Sequence, residues 1–335
     1  MSCNPVLLLG GSGAIGHQTA RALRATYPDV PLLIGGRDFV KAQRTAAEMG
    51  NAQAIVPDMN SAELGLGDKP ISAVVVLYKD HSLAALRFAQ ARGIPHLSIS
   101  SGVFEIAPEI ANFMHAPTAS AVVLGYEWLV GATTVPAIHL TKSFAQVDKI
   151  HIGALVDEQD TGGPAVAEDF EYLSRLMPAA LSRRDGRWGW REGDDAKVVF
   201  SALDGSKINA SGFSSIDVAG LAAATGARSV QFDLGQGVSS SRRKGKPLST
   251  EIILDISGLD HSGRALRTRH AVVHPGGAAP LTGMGIALLL ERLIGLDGKP
   301  PVAPGLYFPY QILDASHYLT RLAQEGGEVL PLPLS

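Results

Sequence analysis

The segment Val6–Gly16, reading VLLLGGSGAIG, constrains this chain more than any other. Four apolar residues, enough for a short buried strand, run directly into Gly11, Gly13 and Gly16 at GxGxxG spacing, and a helical pattern follows. Each glycine has a mechanical task. One makes the tight turn, one lets backbone N–H groups approach a pyrophosphate, and one lets the helix pack on the strand. The helix then presents the positive end of its dipole to phosphate. The segment predicts the opening strand and helix of a doubly wound unit, with Gly11, Ser12, Gly13, Ala14, Ile15 and Gly16 against a dinucleotide.

The first half of the chain supports that beginning. Short Val/Ile/Leu runs at Val6–Leu9, Leu32–Ile34, Ala54–Val56, Ala73–Leu77, His96–Ile99 and Ala121–Leu124 alternate with helical patterns at Gly16–Ala25, Phe39–Met49 and Leu83–Ala91. Near-continuous apolar strands of this kind belong to a parallel sheet covered on both faces. Asp80 or Ser82 is placed to cap the last helix and Gly93 to end it. After about Val147 the period changes to two, at Lys149–Val156, Ala196–Ser201, Ser229–Leu234, Glu251–Ile256 and Arg267–Val273. That pattern predicts a mostly antiparallel sheet with one exposed face, interrupted by helices at Ala165–Leu176 and Val218–Ala224. Arg183–Asp195 reads as a surface loop, Ser239–Lys246 (SSSRRKGK) as a basic loop and Val329–Ser335 as an exposed end.

The expected fold class is therefore α/β: a Rossmann doubly wound parallel sheet with a second α+β domain on a mostly antiparallel sheet. The expected division is 1–147 for the dinucleotide domain, 148–275 for the second domain and 276–335 for helices returning to the first. An antiparallel second-domain sheet often forms a dimer face, so a homodimer is expected.

Composition narrows the partners. A formal net charge of −3 offers no basic footprint for nucleic acid. The most hydrophobic stretch, Leu281–Leu296, is interrupted by Glu291 and Arg292 and falls short of the ~20 residues of a bilayer span, so it predicts a buried helix and no membrane partner. No basic region precedes the first apolar run, and the single cysteine, Cys3, fits a reducing compartment; the reading is a cytoplasmic protein. HExxH, paired CxxC, GxSxG and Walker A patterns are missing from the sequence, so no metal is expected.

The second strand ends LLIGGRD. Where an NAD-binding version places an acid for the ribose 2′-OH, this chain has Gly36 and Arg37, which leave room for a 2′-phosphate and offer it a guanidinium. NADP (NADPH) is expected ahead of NAD. Asp38 is placed to cap the next helix. Asp58 and Met59 follow the third strand, where a residue can approach the adenine or simply make a turn.

With these residues in place, the chain resembles the saccharopine dehydrogenase superfamily, which reduces or oxidises C–N bonds of amino-acid adducts with NAD(P). The resemblance rests on GGSGAIGHQTARAL, GGRDFVKAQRTAAEMG, AVVVLYKDHSLAALRFAQARGIPHLSISSG and the closing LLLERLIGLDGKPPVAPGLYFP. It covers the first ~150 and last ~50 residues, at the level of fold analogy. The chain departs from the family at Glu127–Gly131 (EWLVG), where a Pro-Gly is usual, and at Tyr310, where a Glu is usual. The resemblance implies a second domain inserted before the final helices, Leu77, Tyr78 and Ser100 along the nicotinamide half of the cofactor, and Ser101 toward substrate.

Ligands in open α/β sheets sit beyond the carboxyl ends of the strands, which selects further candidates. Lys79 and His81 follow the fourth strand. In the second domain Asp160 precedes a Gly-Gly turn, Arg242 and Arg243 could grip a substrate carboxylate as a pair, and His274 lies where the chain re-enters the first domain. His81, His274 and Asp160 are the acid/base candidates, and Ser101, Arg242, Arg243 and Lys79 the substrate contacts. The function expected is an NADP(H)-dependent oxidoreductase acting on an imine or amino-acid adduct, a small-molecule substrate. An enoyl or carbonyl reductase on the same fold, or a non-catalytic NADPH sensor, remains the alternative.

Overall fold

The computed structural model describes residues 4–99, 102–103, 105–161 and 179–334. The predicted helix Ala165–Leu176 and the pair Ser100–Ser101 lie outside those residues. The chain divides into two compact units, Met1–Tyr126 with Thr282–Leu313, and Glu127–Leu281 with Asp314–Ser335.

The first unit carries a seven-stranded, wholly parallel sheet. Its strands are β1 (Val6–Leu9), β2 (Leu32–Gly35), β3 (Ala52–Ile55), β4 (Ala73–Val76), β5 (His96–Ser98), β6 (Ala121–Leu124) and β15 (Gly305–Tyr307), in the order β15-β6-β5-β4-β1-β2-β3. Every residue of β1, β2, β4 and β6 is buried, as continuous apolar runs between two helical layers must be. Helices α1 (Ala14–Thr26), α2 (Phe39–Met49), α3 (Ala84–Ala91) and α4 (Ala107–His115) belong to this unit. Helix α8 (Ala278–Leu293) begins in the second unit and ends in the first. A Cβ on its Gly283 would stand 2.7 Å from the backbone of Gln18, so glycine is what lets α8 approach α1 so closely.

The second unit is built on β7 (Phe144–Asp157), β8 (Ala180–Arg184), β9 (Arg187–Arg191), β10 (Lys197–Ser201), β11 (Lys207–Gly212), β12 (Ser229–Gly237), β13 (Ser249–Asp260), β14 (Ala265–Pro275) and β16 (Glu328–Pro331). The order is β10-β11-β12-β7-β13-β14-β16, with β8 pairing β12 and β9 beyond it. All pairs are antiparallel except β12–β7. Helices α5 (Thr134–Thr141) and α6 (Asp217–Thr225) pack together here, and edge-on contacts of Trp128 with Phe213 and Phe232 fill the core beside them.

Four expectations change. The first stretch of the Rossmann unit ends at Tyr126 rather than 147, because α5 packs on second-unit helices; the return covers Thr282–Leu313 only. Arg183–Asp195 is largely the β8–β9 hairpin, closed by Asp185 (φ 48°) and Gly186 (φ 83°), the two positive φ values of a tight turn whose twist matches its strands. The tail is not a free end: β16 pairs with β14. Within the basic loop, Ser240–Arg243 forms one helical turn, α7. Among the described residues no helix is long and apolar enough to cross a membrane.

Candidate functional site

The loop from β1 to α1 is determined by close approach. Gly10, at φ +86°, makes the turn, and a Cβ there would press on Leu77 Cβ and Tyr78 Cδ1 at 3.2 Å. A Cβ on Gly11 would stand 2.8 Å from Leu8 O, and one on Gly16 2.5 Å from Gly11 Cα. Gly13 is different. Its φ and ψ, −78° and 173°, suit any residue, and its missing Cβ would meet only Gly10 O at 3.2 Å. Gly13 is the N-cap of α1 and brings no side-chain cap, and the helix's first bond is His17 N to Gly13 O at 2.9 Å. The amides of Ala14, Ile15 and Gly16 therefore lie at an uncapped helix start, the arrangement that binds pyrophosphate. These residues fit a dinucleotide. Gly10 was overlooked in the sequence because the GxGxxG frame begins one residue later.

The end of β2 adjoins this loop. A Cβ on Gly36 would come within 3.1 Å of Ser12 Oγ, so Ser12 overhangs Gly36. Arg37 is exposed beyond it. Asp38 caps α2, accepting from Lys41 N at 3.0 Å, so the nearest acid is spent on a helix start. Asp58 is a turn residue, accepting from Asn60 N at 3.0 Å. The Tyr78 hydroxyl lies 3.4 Å from Met59 Sδ, and burial, reinforced by Asp80, pushes its phenol up while Arg37 opposes. Tyr78 thus stands beside Met59 and near Arg37. Leu77 stays buried, its N–H donating to Leu9 O.

Other residues expected at the strand ends have structural employment. Lys79 pairs with Glu105 at 3.0 Å, which engages the ammonium meant for substrate. Asp80 accepts from Ser82 N and from Ala85 N at 3.1 and 3.0 Å, fixing the start of α3. His81 is exposed in that turn.

A buried polar network stands at the ends of β5 and β6 instead. Ser98 Oγ is 2.6 Å from the Tyr126 hydroxyl and 3.3 Å from Glu109 Oε2, and the Tyr126 hydroxyl donates to the same Glu109 oxygen. All three side chains are buried. Gly125 permits this contact: a Cβ there would collide with Ser98 O at 2.7 Å. His96, Ser98, Glu109, Tyr78 and Asp80 line a small cavity behind the network. Burial lowers the His96 imidazole to about 4, so it stands neutral. Glu109 could not be singled out from the sequence, since an acid in the first turn of a helix ordinarily answers the dipole from the surface.

In the second unit Arg242, Arg243 and Asp160 are engaged, and His274 is buried. Arg242 Nη1 is 2.6 Å from Asp157 Oδ1, and Arg243 forks onto Asp204 at 2.6 and 2.9 Å. Burial pushes the Asp157 carboxyl up, but hydrogen bonds from Ser239, Gln159 and Arg242 outweigh it and hold it at about 2. The arginine pair is thus a brace for the α7 turn rather than a free carboxylate clamp. Asp160 accepts from Ala278 N at 2.6 Å and anchors the start of α8; burial raises its carboxyl. His274 is 3% exposed, and neither ring nitrogen has a partner among the described residues. Burial lowers its pKa, and the ring is packed in the interior of the second unit. Among the described residues no three His, Cys, Asp or Glu side chains gather as a metal site.

No family model and no curated protein matches this chain in sequence. Solved structures do match in fold. The apo saccharopine dehydrogenase (L-Glu forming) of Saccharomyces cerevisiae superimposes with a TM-score of 0.69 at 14% identity, over 99% of this chain and 100% of that one. The amine dehydrogenase of Mycobacterium smegmatis gives a TM-score of 0.52 at 12% identity, over 93% of this chain and 97% of that one. The two-unit architecture, a parallel Rossmann sheet and a second, mostly antiparallel sheet, is the fold of saccharopine dehydrogenase.

Proposed function

We propose that the first unit binds a nicotinamide dinucleotide, NADP(H) ahead of NAD(H), and that the chain is an oxidoreductase acting on the C=N or C–N bond of a small molecule. The observation that carries this reading is the β1–α1 loop: three positions where a Cβ would collide, an uncapped helix start and an open Gly13. The β2 end supports the NADP(H) preference. It presents Gly36 and an exposed Arg37, and its acid, Asp38, is occupied at α2. The saccharopine dehydrogenase and amine dehydrogenase likenesses support C–N chemistry as the reaction class.

The cofactor, when bound, supplies or accepts the hydride. The residues of this chain position it and handle the proton. Ala14, Ile15 and Gly16 offer amides to the pyrophosphate, Arg37 pairs with the 2′-phosphate, and Met59 with Tyr78 walls the adenosine. Reduction of an imine needs a proton at nitrogen. Tyr126, held by Glu109 and Ser98, takes the place of His81 and His274 as the source: its hydroxyl turns from Glu109 to give its proton to the imine nitrogen, and Ser98, in contact with the same oxygen, passes a proton to the phenolate left behind.

The test is a thermal-shift titration with NADPH and NADH, followed by NADPH oxidation with a panel of 2-oxo acids plus amines. Turnover with a pair of these, lost in Tyr126→Phe with NADPH affinity kept, is expected. Binding without consumption of NADPH by any pair would leave a sensor rather than an enzyme.

A further inference from the structure

We propose that two copies of this chain pair edge to edge through β9, antiparallel about Gly189. Among the described residues β9 pairs with β8 alone, and none of them bonds the backbone groups of its outer edge. Natural sheets usually blunt such an edge with charge, proline or a bulge. This one places Trp188 and Trp190 on one face, each 52% exposed.

The sequence of the strand is its own reverse: Arg187-Trp188-Gly189-Trp190-Arg191. A two-fold interface demands that one patch complement itself, and a palindromic strand does so when run antiparallel about its centre. Gly189 then faces Gly189 of the second copy, and Trp188 faces Trp190.

The hydrogen-bond phase agrees. The two-residue turn makes Arg184 and Arg187 a hydrogen-bonded pair, and bonded and non-bonded pairs alternate from there. Ser182 with Gly189 is therefore bonded, whereas Arg183 with Trp188 and Leu181 with Trp190 are not. The N–H and C=O groups of both tryptophans consequently point away from β8, toward the open edge. In the palindromic register these outward groups meet one another, two bonds for each Trp188–Trp190 pair.

Charge does not oppose the contact. Arg191 would face Arg187 of the second copy, but its guanidinium is turned inward, 2.6 Å from Asp233 Oδ1, and is 3% exposed. Gly189 has nothing within 4 Å of an added Cβ, which leaves space at the axis. Four half-exposed indoles supply about 400 Å² of apolar surface. That is below a standard interface, so the association is weak and concentration-dependent.

Sedimentation of the full chain over a concentration series tests this. Wild type is expected to show reversible monomer–dimer exchange. Trp190→Pro, which removes an N–H that β8 does not use, should weaken association at least tenfold with an unchanged circular dichroism spectrum. Should that variant fail to fold, Gly189→Cys in a Cys3→Ser background serves. Facing residues of a non-bonded antiparallel pair stand about 4.5 Å apart at Cα, within disulfide reach. This variant should cross-link under mild oxidation, whereas Gly263→Cys, in the β13–β14 turn, should not. A wild type that stays monomeric, a Trp190→Pro variant that dimerises as wild type does, or a Gly189→Cys variant that does not cross-link would overturn the proposal.

Discussion

Two glycines three residues apart should respond oppositely to substitution, and the difference separates folding from binding. At Gly16 even one methyl lands 2.5 Å from Gly11 Cα and 2.7 Å from Gly10 O, where ordinary contacts begin near 3.4 Å. The obstacle is backbone, so α1 must back away from β1 by most of an ångström. Overpacking of that kind costs about 3 kcal/mol, roughly 6–12 °C of Tm for a unit of this size. At Gly13 the backbone is ordinary extended chain, and the added Cβ meets one carbonyl oxygen at 3.2 Å. Losing a glycine N-cap to valine and easing that contact together cost about 1 kcal/mol, or 2–4 °C. For binding the effects reverse. NADPH at a hundred times its Kd should raise the wild-type Tm by the equivalent of about 2.7 kcal/mol, and should not move Gly13→Val at all. Differential scanning fluorimetry of both variants, with and without NADPH, reads all four numbers. A Gly13→Val protein with wild-type NADPH stabilisation would refute the dinucleotide assignment. One that melts as low as Gly16→Ala would refute the steric argument.

Arg37→Ala should weaken NADPH by about 1–3 kcal/mol and leave NADH almost unchanged, measured by calorimetry; equal losses would remove the 2′-phosphate role. Arg243→Ala should lower Tm without raising KM, because Asp204 and not a substrate holds the guanidinium. A KM effect at constant Tm would restore the clamp. Burial pushes the Asp217 carboxyl up to about 6, against hydrogen bonds from Ser215 and Trp128. A raised carboxyl stabilises the fold below its ordinary range and loses that contribution as pH rises through the folded value. Wild-type Tm should therefore fall relative to Asp217→Asn between about pH 4 and pH 6 and run parallel above; a constant difference across that range would contradict it.

The Rossmann half was legible because its constraints are local. β1, α1, α2 and β6 each follow from a run of residues whose burial and turn chemistry are written in place; Asp38 caps α2, while α3 has Leu83 at its N-cap and Asp80 and Ser82 accept from the amides of Ala85 and Ala84. β15 was not legible: three residues, Gly305–Tyr307, join the sheet only because β6 offers an open edge. The β8–β9 hairpin was obscured by four arginines and two exposed tryptophans, which look like loop composition, although Asp185-Gly186 was a turn signal in plain view. Candidate site residues fared worse, for a physical reason. Position after a strand selects the right neighbourhood, but whether Lys79, Arg242 or Asp160 is available depends on Glu105, Asp157 and the start of α8, which lie far along the chain.

The partners of the acids carry this distinction further. Asp38, Asp58 and Asp160 accept from backbone N–H groups. None of those donors gives up its proton near neutral pH, so these carboxylates can fix geometry but cannot pass a proton on. Glu109 accepts from the hydroxyls of Ser98 and Tyr126. Hydroxyls donate and accept, so a proton leaving Tyr126 can be replaced through Ser98 without moving a heavy atom, while the Glu109 carboxylate holds both hydroxyls in place. If this network serves the reaction, Glu109→Gln should lower kcat with KM nearly constant and shift the basic limb of the pH–rate profile, since the amide keeps the contact and loses the exchangeable charge. A variant that loses only Tm, with an unshifted pH profile, would reduce Glu109 to a buried tie between α4 and the ends of β5 and β6.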